Sequence, residues 1–226
     1  MRAGQTAYKE VDGVTYQCAL FPLNYMYCTQ VAGPGNYSHC CGTATDWVGS
    51  SSRYPYYAPV DCTRVSISGS DNIARYVSDN VVLTPSGPKR LAFLFMHDDS
   101  PPSATHYRQG DLIGRTGTAG FVTGDHVHLD QCFGSSISLT TDGTVCSAGN
   151  TCYYVPGGVT PPAAYFTTDE TEVQLLGQQF TQLEDYDPGG GGGGDDPSSG
   201  DASGLIWMAV GIASGKKKNY LNFGKG

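Results

Sequence analysis

The octapeptide TGDHVHLD, residues 123–130, carries two histidines one residue apart in a run that alternates polar and apolar side chains. In a β-strand, side chains two apart share a face, so His126, His128 and Asp130 are expected to point one way while Val127 and Leu129 point the other. The segment therefore reads as a strand with an apolar face on a core and a polar face on a cavity. Two imidazoles about 7 Å apart on one face can address a common metal centre, with Asp130 orienting one of them from behind. A solvated polar strand face has the same pattern, and the octapeptide alone does not separate the two.

Short β-rich runs bounded by Gly, Pro, Ser and Asp recur along the chain: VTYQCAL (14–20), PVDCTRVSI (59–67), VVLT (81–84), RLAFLFMH (90–97), HVHLDQCF (126–133) and TCYYVP (151–156). That rhythm predicts a mainly β protein built on an antiparallel sheet. The composition agrees, with 31 Gly, 15 Tyr and only 15% charged residues, and with little of the periodicity of helical proteins. One departure lies at 169–183. There Val173, Leu176, Phe180 and Leu183 fall at helical steps, and Asp169 with Glu172 forms a capping box. The spacing predicts a short amphipathic C-terminal helix.

The 226 residues suffice for one domain of about 150 residues with a sizeable core, plus appendages. The expected division is a β domain over 1–165, a helix and connector over 166–187, a glycine-rich linker over 188–203 and a tail over 204–226. The linker contains six consecutive glycines and no side chains able to bury a core. In the tail, the apolar run from Leu205 to Ala213 is about half of the ~20 residues a helix needs to span a bilayer. It is expected either to dock on protein or, with Trp207 and Lys216, Lys217 and Lys218, to make membrane contact. A net charge of −8 and the lack of a basic cluster before residue 216 make nucleic acid an unexpected partner.

Eight cysteines, at 18, 28, 40, 41, 62, 132, 146 and 152, form an even set without zinc-ribbon spacing. Most are expected in disulfides, and Cys146 with Cys152 across a Ser-Ala-Gly-Asn turn suits a local bridge. A rival use is a thiolate-rich structural zinc site from His39, Cys40, Cys41 and Cys132. The opening MRAGQTAYKEVDG has no apolar stretch that could act as a secretory signal. The expectation is exit from the cell by lysis or within a larger particle.

The metal reading of the histidine pair strengthens with the other histidines. His97 ends the apolar strand RLAFLFMH, and His39 precedes Asp46 in NYSHCCGTATDWVG. Imidazole and carboxylate together suit zinc, whose catalytic sites keep three protein ligands and an open position. His106, in SPPSATHYRQG, reads as a surface residue. Between His97 and the pair, glycines stand at 110, 114, 117, 120 and 124.

In the order of these motifs, His39 with Asp46, FMH at 95–97 and GDLIGRTGTAGFVTGDHVHLD at 110–130, the chain resembles the lysostaphin-like M23 zinc endopeptidases over roughly residues 30–135. The resemblance implies an open-groove β fold with Zn2+ held by His39, Asp46 and His128, and His97 and His126 as catalytic histidines that do not ligate. It further implies hydrolysis of peptide bonds in bacterial peptidoglycan, and the looser spacing is similar to that of endopeptidase domains in phage tail-tip proteins. The expected setting is therefore a virion tail tip beside other tail proteins, aiding genome delivery at the cell wall. The alternative is a non-catalytic wall-binding cap with a stabilising zinc. Two features depart from the family pattern. Six residues, beginning with Cys40 and Cys41, separate His39 from Asp46 where three are usual, and Asp130 stands where Glu is common.

Overall fold

A computed structural model describes residues 1–174 and 179–185. The expected linker at 188–203 and tail at 204–226, with its membrane or docking contact, lie outside the described residues. The chain begins with a hairpin, β1 (Tyr8–Val11) and β2 (Val14–Gln17), followed by β3 (Tyr25–Val31), β4 (Thr45–Val48) and β5 (Pro55–Tyr57). Next come β6 (Cys62–Ser68), β7 (Ile73–Ser78), β8 (Val82–Thr84), β9 (Gly87–Lys89), β10 (Leu91–Met96) and β11 (His106–Tyr107). β12 (Leu112–Arg115) and β13 (Val127–Phe133) lead to α1 (Pro161–Ala164) and the short strands β14 (Phe166–Thr167), β15 (Glu172–Gln174) and β16 (Thr181–Gln182). The architecture is the expected mainly β one.

An eight-stranded sheet dominates, in the order β11-β6-β7-β10-β13-β4-β3-β15. Every pairing in it is antiparallel except β15 on β3. Its centre is β10, whose run Leu91–Met96 is buried at every position. A continuous apolar run forms a strand of this kind because both faces must be covered. Leu91, Phe93 and Phe95 enter the main core with Trp47, Tyr76, Val127 and Leu129, while Ala92, Leu94 and Met96 join a smaller cluster on the other face with Cys132, Ile137 and Val155. Burying each Leu, Phe, Val, Ile or Met side chain among these contributes roughly 1.5–3 kcal/mol. Ring contacts knit the main core, with Phe21 against Trp47 at 5.0 Å and Tyr76 stacked on Phe93 at 5.3 Å.

This layering sets the site. Val127 and Leu129 of β13 face the main core, and His128, Asp130 and Cys132 take the alternate positions. Across the strand pair, Met96 lies opposite His128 and Leu94 opposite Asp130. On the other side of β13, His128 pairs in register with Asp46 of β4, whose neighbour Trp47 enters the core.

Several expectations change. The described residues of 169–183 hold no helix: β15 and β16 occupy part of them, and Leu176 lies outside the described residues. Tertiary pairing overrides the helical spacing there, since Val173 lies opposite Met26 in parallel register while Phe180 packs edge-on against Phe21 at 4.5 Å. The only helix among the described residues is the single turn α1, initiated by Pro161 and ended by the extended Tyr165. TCYYVP is held by isolated bridges, Val145 to Thr151 and Thr140 to Tyr154, and no strand forms. The disulfides are Cys40–Cys146 and Cys41–Cys152, so the local Cys146–Cys152 bridge does not form. The adjacent Cys40 and Cys41 lie close enough to capture both. Cys18, Cys28, Cys62 and Cys132 are free and buried, so half of the cysteines are bridged where most were expected. The rival thiolate site is excluded by the same pairing, because Cys40 and Cys41 are consumed in disulfides. Among the described residues no helix is long and apolar enough to cross a membrane.

Candidate metal centre

The five residues singled out in the sequence converge at one end of β4, β10 and β13. His128 Nδ1 stands 3.2 Å from Asp46 Oδ1 and 3.1 Å from His39 Nε2, and His39 Nε2 lies 3.4 Å from the same Asp46 oxygen. Tetrahedral zinc with bonds of about 2.0–2.1 Å requires ligand atoms about 3.3–3.4 Å apart, so this triangle has the dimensions to hold such an ion above its plane. All three side chains are 8–13% exposed. The donor set of two imidazole nitrogens and one carboxylate oxygen is chemically that of a borderline divalent cation. These residues fit zinc.

Electrostatics within the triangle follow from burial and the carboxylates. Burial holds His39 down to about 3, reinforced by neighbouring imidazoles. For His128 burial acts in the same direction, but Asp130 on Nε2 at 3.3 Å and Asp46 on Nδ1 together outweigh it and push the metal-free imidazole up to about 10. Asp46 is held below the usual carboxylate range; burial opposes this, and the surrounding histidines prevail. A proton and a metal ion therefore compete for His128 Nδ1. Asp130, fully buried, plays the orienting part expected of it, fixing the imidazole from the side away from the triangle.

His97 and His126 are built differently. In each, Nδ1 faces a backbone carbonyl at 2.8 Å, Ala119 for His97 and Gly124 for His126. Carbonyls only accept, so Nδ1 carries the hydrogen and the neutral ring presents an Nε2 lone pair. His126 Nε2 comes within 3.7 Å of Asp46 Oδ1, and the rings of His97 and His126 are 4.7 Å apart. Burial pulls His97 down to about 4, so it is neutral at physiological pH. His126 lies one residue before β13, joined to Gly117 by reciprocal backbone hydrogen bonds.

The loop after β10 is rigidly held. His97 has φ 80°, a conformation costly for a non-glycine residue. It persists because its N–H donates to Asp71 O and its carbonyl accepts from Ala119 N–H. Asp71 also accepts from Phe121 N–H through Oδ1. A Cβ at Gly117 would meet His97 O at 2.2 Å, so only glycine lets the two segments approach. Buried Asp98 accepts from Arg115 N–H, Ser100 N–H and the Arg53 guanidinium, tying in the β12 segment. Sequence reasoning did not single out Asp71, because a Gly-Ser-Asp-Asn turn between two strands carries no chemical signature. His106 is exposed, as expected, and joins Thr63 Oγ1 at 3.0 Å far from this cluster in the fold order, at the β11 edge.

No family model matches the chain. Over 122 residues, 53% of its length, it is 34% identical to Morphogenesis protein 1 of Bacillus phage B103, and it spans about a third (33%) of that relative. Among solved structures, a zinc-containing peptidase from Vibrio cholerae matches with TM-score 0.40 and 17% identity, over 57% of this chain and 43% of that one. The catalytic domain of the antimicrobial peptidase lysostaphin from Staphylococcus simulans matches with TM-score 0.39 and 18% identity, over 49% of this chain and 82% of that domain. Both structural likenesses are too loose to bear on the chemistry of the site.

Proposed function

We propose that this chain is a zinc-dependent endopeptidase of the M23 type that hydrolyses peptide cross-links of bacterial peptidoglycan as part of a phage virion. The observation that carries the reading is the triangle of His39 Nε2, Asp46 Oδ1 and His128 Nδ1 at 3.1–3.4 Å, beside two histidines whose Nδ1 is anchored on a backbone carbonyl. In this reading His39, Asp46 and His128 hold the ion, and His97 and His126 act on protons. Zinc, when bound, supplies a water of lowered pKa and an electrophile that polarises the scissile carbonyl.

The chain's own residues supply the rest. With Nδ1–H anchored on a carbonyl, each of His97 and His126 offers Nε2 as a base; once protonated, the same nitrogen is a donor to the developing oxyanion or the departing amine. Neither exchange requires the ring to move, since the backbone hydrogen bond is kept in both states. Asp130 keeps His128 in the tautomer whose Nδ1 is free for the ion. The phage setting is supported by the resemblance to a phage morphogenesis protein over half of this chain; the tail tip, other tail proteins as partners and peptidoglycan as substrate follow from the motif resemblance.

Digestion of purified peptidoglycan, with mass analysis of the fragments, tests this. We expect a new amine at a defined peptide bond, abolished by chelation and by His128→Ala. His97→Ala and His126→Ala should each retain zinc and lose hydrolysis by about 10²–10⁴-fold. Zinc bound without cleavage would replace this reading with that of a non-catalytic cap.

A further inference from the structure

Three of the four imidazoles at the centre have their outer ring nitrogen held by an oxygen: His97 by Ala119, His126 by Gly124 and His128 by Asp130. His39 is the exception. Its Nδ1 is buried and has no hydrogen-bond partner among the described residues. Its backbone setting differs as well. Asp46 and His128 face one another in register across β4 and β13, so the sheet fixes their separation. His39 instead lies between β3 and β4, in a strandless stretch that contains Gly33, Pro34, Gly35 and Gly42.

What secures that stretch is covalent. Cys40 and Cys41 directly follow His39 and are bridged to Cys146 and Cys152, 106 and 111 residues away. The amide of Cys40 donates to Cys146 Sγ at 3.2 Å and that of Cys41 to Cys152 Sγ at 3.1 Å. Hydrogen bonds add to the hold, among them Gly33 N–H to His39 O and Ala148 N–H to Tyr37 O, each 2.9 Å, Gln30 Nε2 to Ser38 Oγ at 2.7 Å and Ser147 Oγ to Asn36 O at 3.1 Å. A single bridge fixes one point of a loop. Bridges on consecutive residues also fix the direction in which the chain leaves it, and hence where the preceding side chain projects.

We propose that the paired disulfides Cys40–Cys146 and Cys41–Cys152 are the positioning device for His39, replacing the orienting hydrogen bond its imidazole lacks, so that metal affinity depends on these bridges being formed. The inference rests on the reading of His39, Asp46 and His128 as a zinc centre. Without the bridges the sheet still presents Asp46 and His128, a two-ligand site, and the third ligand must be gathered at an entropic cost. The long spacing between His39 and Asp46 then has a reason: it takes the histidine off the sheet and hands its placement to sulfur.

The test uses the full chain, with zinc affinity measured by competition against a chromogenic chelator. The variants are Cys40→Ser/Cys146→Ser, Cys41→Ser/Cys152→Ser and all four together, with far-UV circular dichroism and urea unfolding of the metal-free protein in parallel. We expect the fourfold variant to lose zinc affinity by roughly tenfold or more, the size of effect seen when a ligand's outer support is removed, with its β signature intact. The Cys40 pair should lose more than the Cys41 pair, because Cys40 is bonded to His39 itself, although both pairs lose stability alike. If the fourfold variant does not fold, the ordering of the two single-pair variants, each keeping one bridge, decides. Wild-type affinity in both single-pair variants would overturn the proposal and leave the bridges as loop staples. Failure of the bridged wild type to bind zinc at all would overturn the metal reading itself, and is read out separately from that comparison.

Discussion

Asp46 Oδ1 faces three imidazoles at once, His128 at 3.2 Å, His39 at 3.4 Å and His126 at 3.7 Å, so the charge of this one carboxylate is shared by proposed ligands and a proposed base. Its counterpart behind the site, Asp130, meets the other ring nitrogen of His128 at 3.3 Å. Asp130→Asn keeps the shape and removes the charge, and we expect zinc affinity to fall roughly 10–100-fold with the fold retained; unchanged affinity in a chelator competition would show that Asp130 does not tune the ligand. The same residues give metal-free protein a two-sided pH dependence. His39 and His97, held down to about 3 and 4, take up protons on unfolding at the ordinary imidazole value of 6.5, so stability falls as pH drops below 6.5 towards 4. His128, raised to about 10, contributes stability that is fully present below 6.5 and is lost as pH rises through 10. Urea midpoints of chelator-treated protein should therefore peak near 6.5, and His128→Ala should abolish the alkaline limb. A flat profile in the wild type would contradict both assignments. The residues of the candidate site could be singled out in the sequence because metal chemistry restricts residue types severely and the chain has only five histidines. Asp71, Ala119 and Gly124 were not, since they act through the backbone or from an ordinary turn, and backbone carbonyls have no residue signature.

Strands β10 and β13 were legible for a physical reason: one is apolar at every position, as burial on both faces demands, and the other alternates polar and apolar side chains from His126 to Asp130, which separates a site face from a core face. β4 was not, because Thr45–Val48 is four residues long and two of its four residues are polar, Asp46 at the site and Thr45 bonded to the Trp47 indole. The helix expected at 169–183 shows the opposite failure, in which spacing satisfied one template while a pairing with β3 decided the outcome. Cysteine pairing was equally hidden, since it depends on which loops meet. The four unbridged cysteines are placed by packing: Cys28 and Cys62 lie in core strands, and Cys18 and Cys132 sit in the two smaller clusters. Burial raises the Cys18 thiol to about 11 and moves Cys62 and Cys132 in the same direction. Both factors suppress the thiolate that reacts with disulfide reagents. Native protein should accordingly show no rapidly reacting thiol to a chromogenic disulfide, and four per chain after denaturation without reductant. Eight thiols after denaturation would mean that the bridges do not form, whereas rapid labelling of native protein would mean that these strands open readily.

Every group proposed to act at the site lies between His39 and Asp130, yet the packing that supports it draws on residues far later in the chain. Phe180 sits 6.0 Å from the Trp47 ring, next to Asp46, and 4.5 Å from Phe21. Phe166 pairs through its backbone with Ala19 and Phe21, and with Leu183 it joins Met1, Leu20 and Leu83 in a second buried cluster. The segment 166–185 therefore closes the core under β4 as well as extending the sheet through β15. This separates two truncations that would be equivalent if the segment were only a connector. A chain ending at Asp185 retains all of these contacts and is expected to match the full chain in zinc affinity and in the proposed hydrolysis. A chain ending at Tyr165 exposes Phe21 and one face of Trp47, removing aromatic contacts of about 0.5–1.5 kcal/mol each beyond the burial they bring. It should unfold at lower urea and bind zinc more weakly, since β4 carries Asp46 directly beside the uncovered tryptophan. Equal zinc affinity and equal urea midpoints for the two truncations would show that the segment merely rests on a core complete without it.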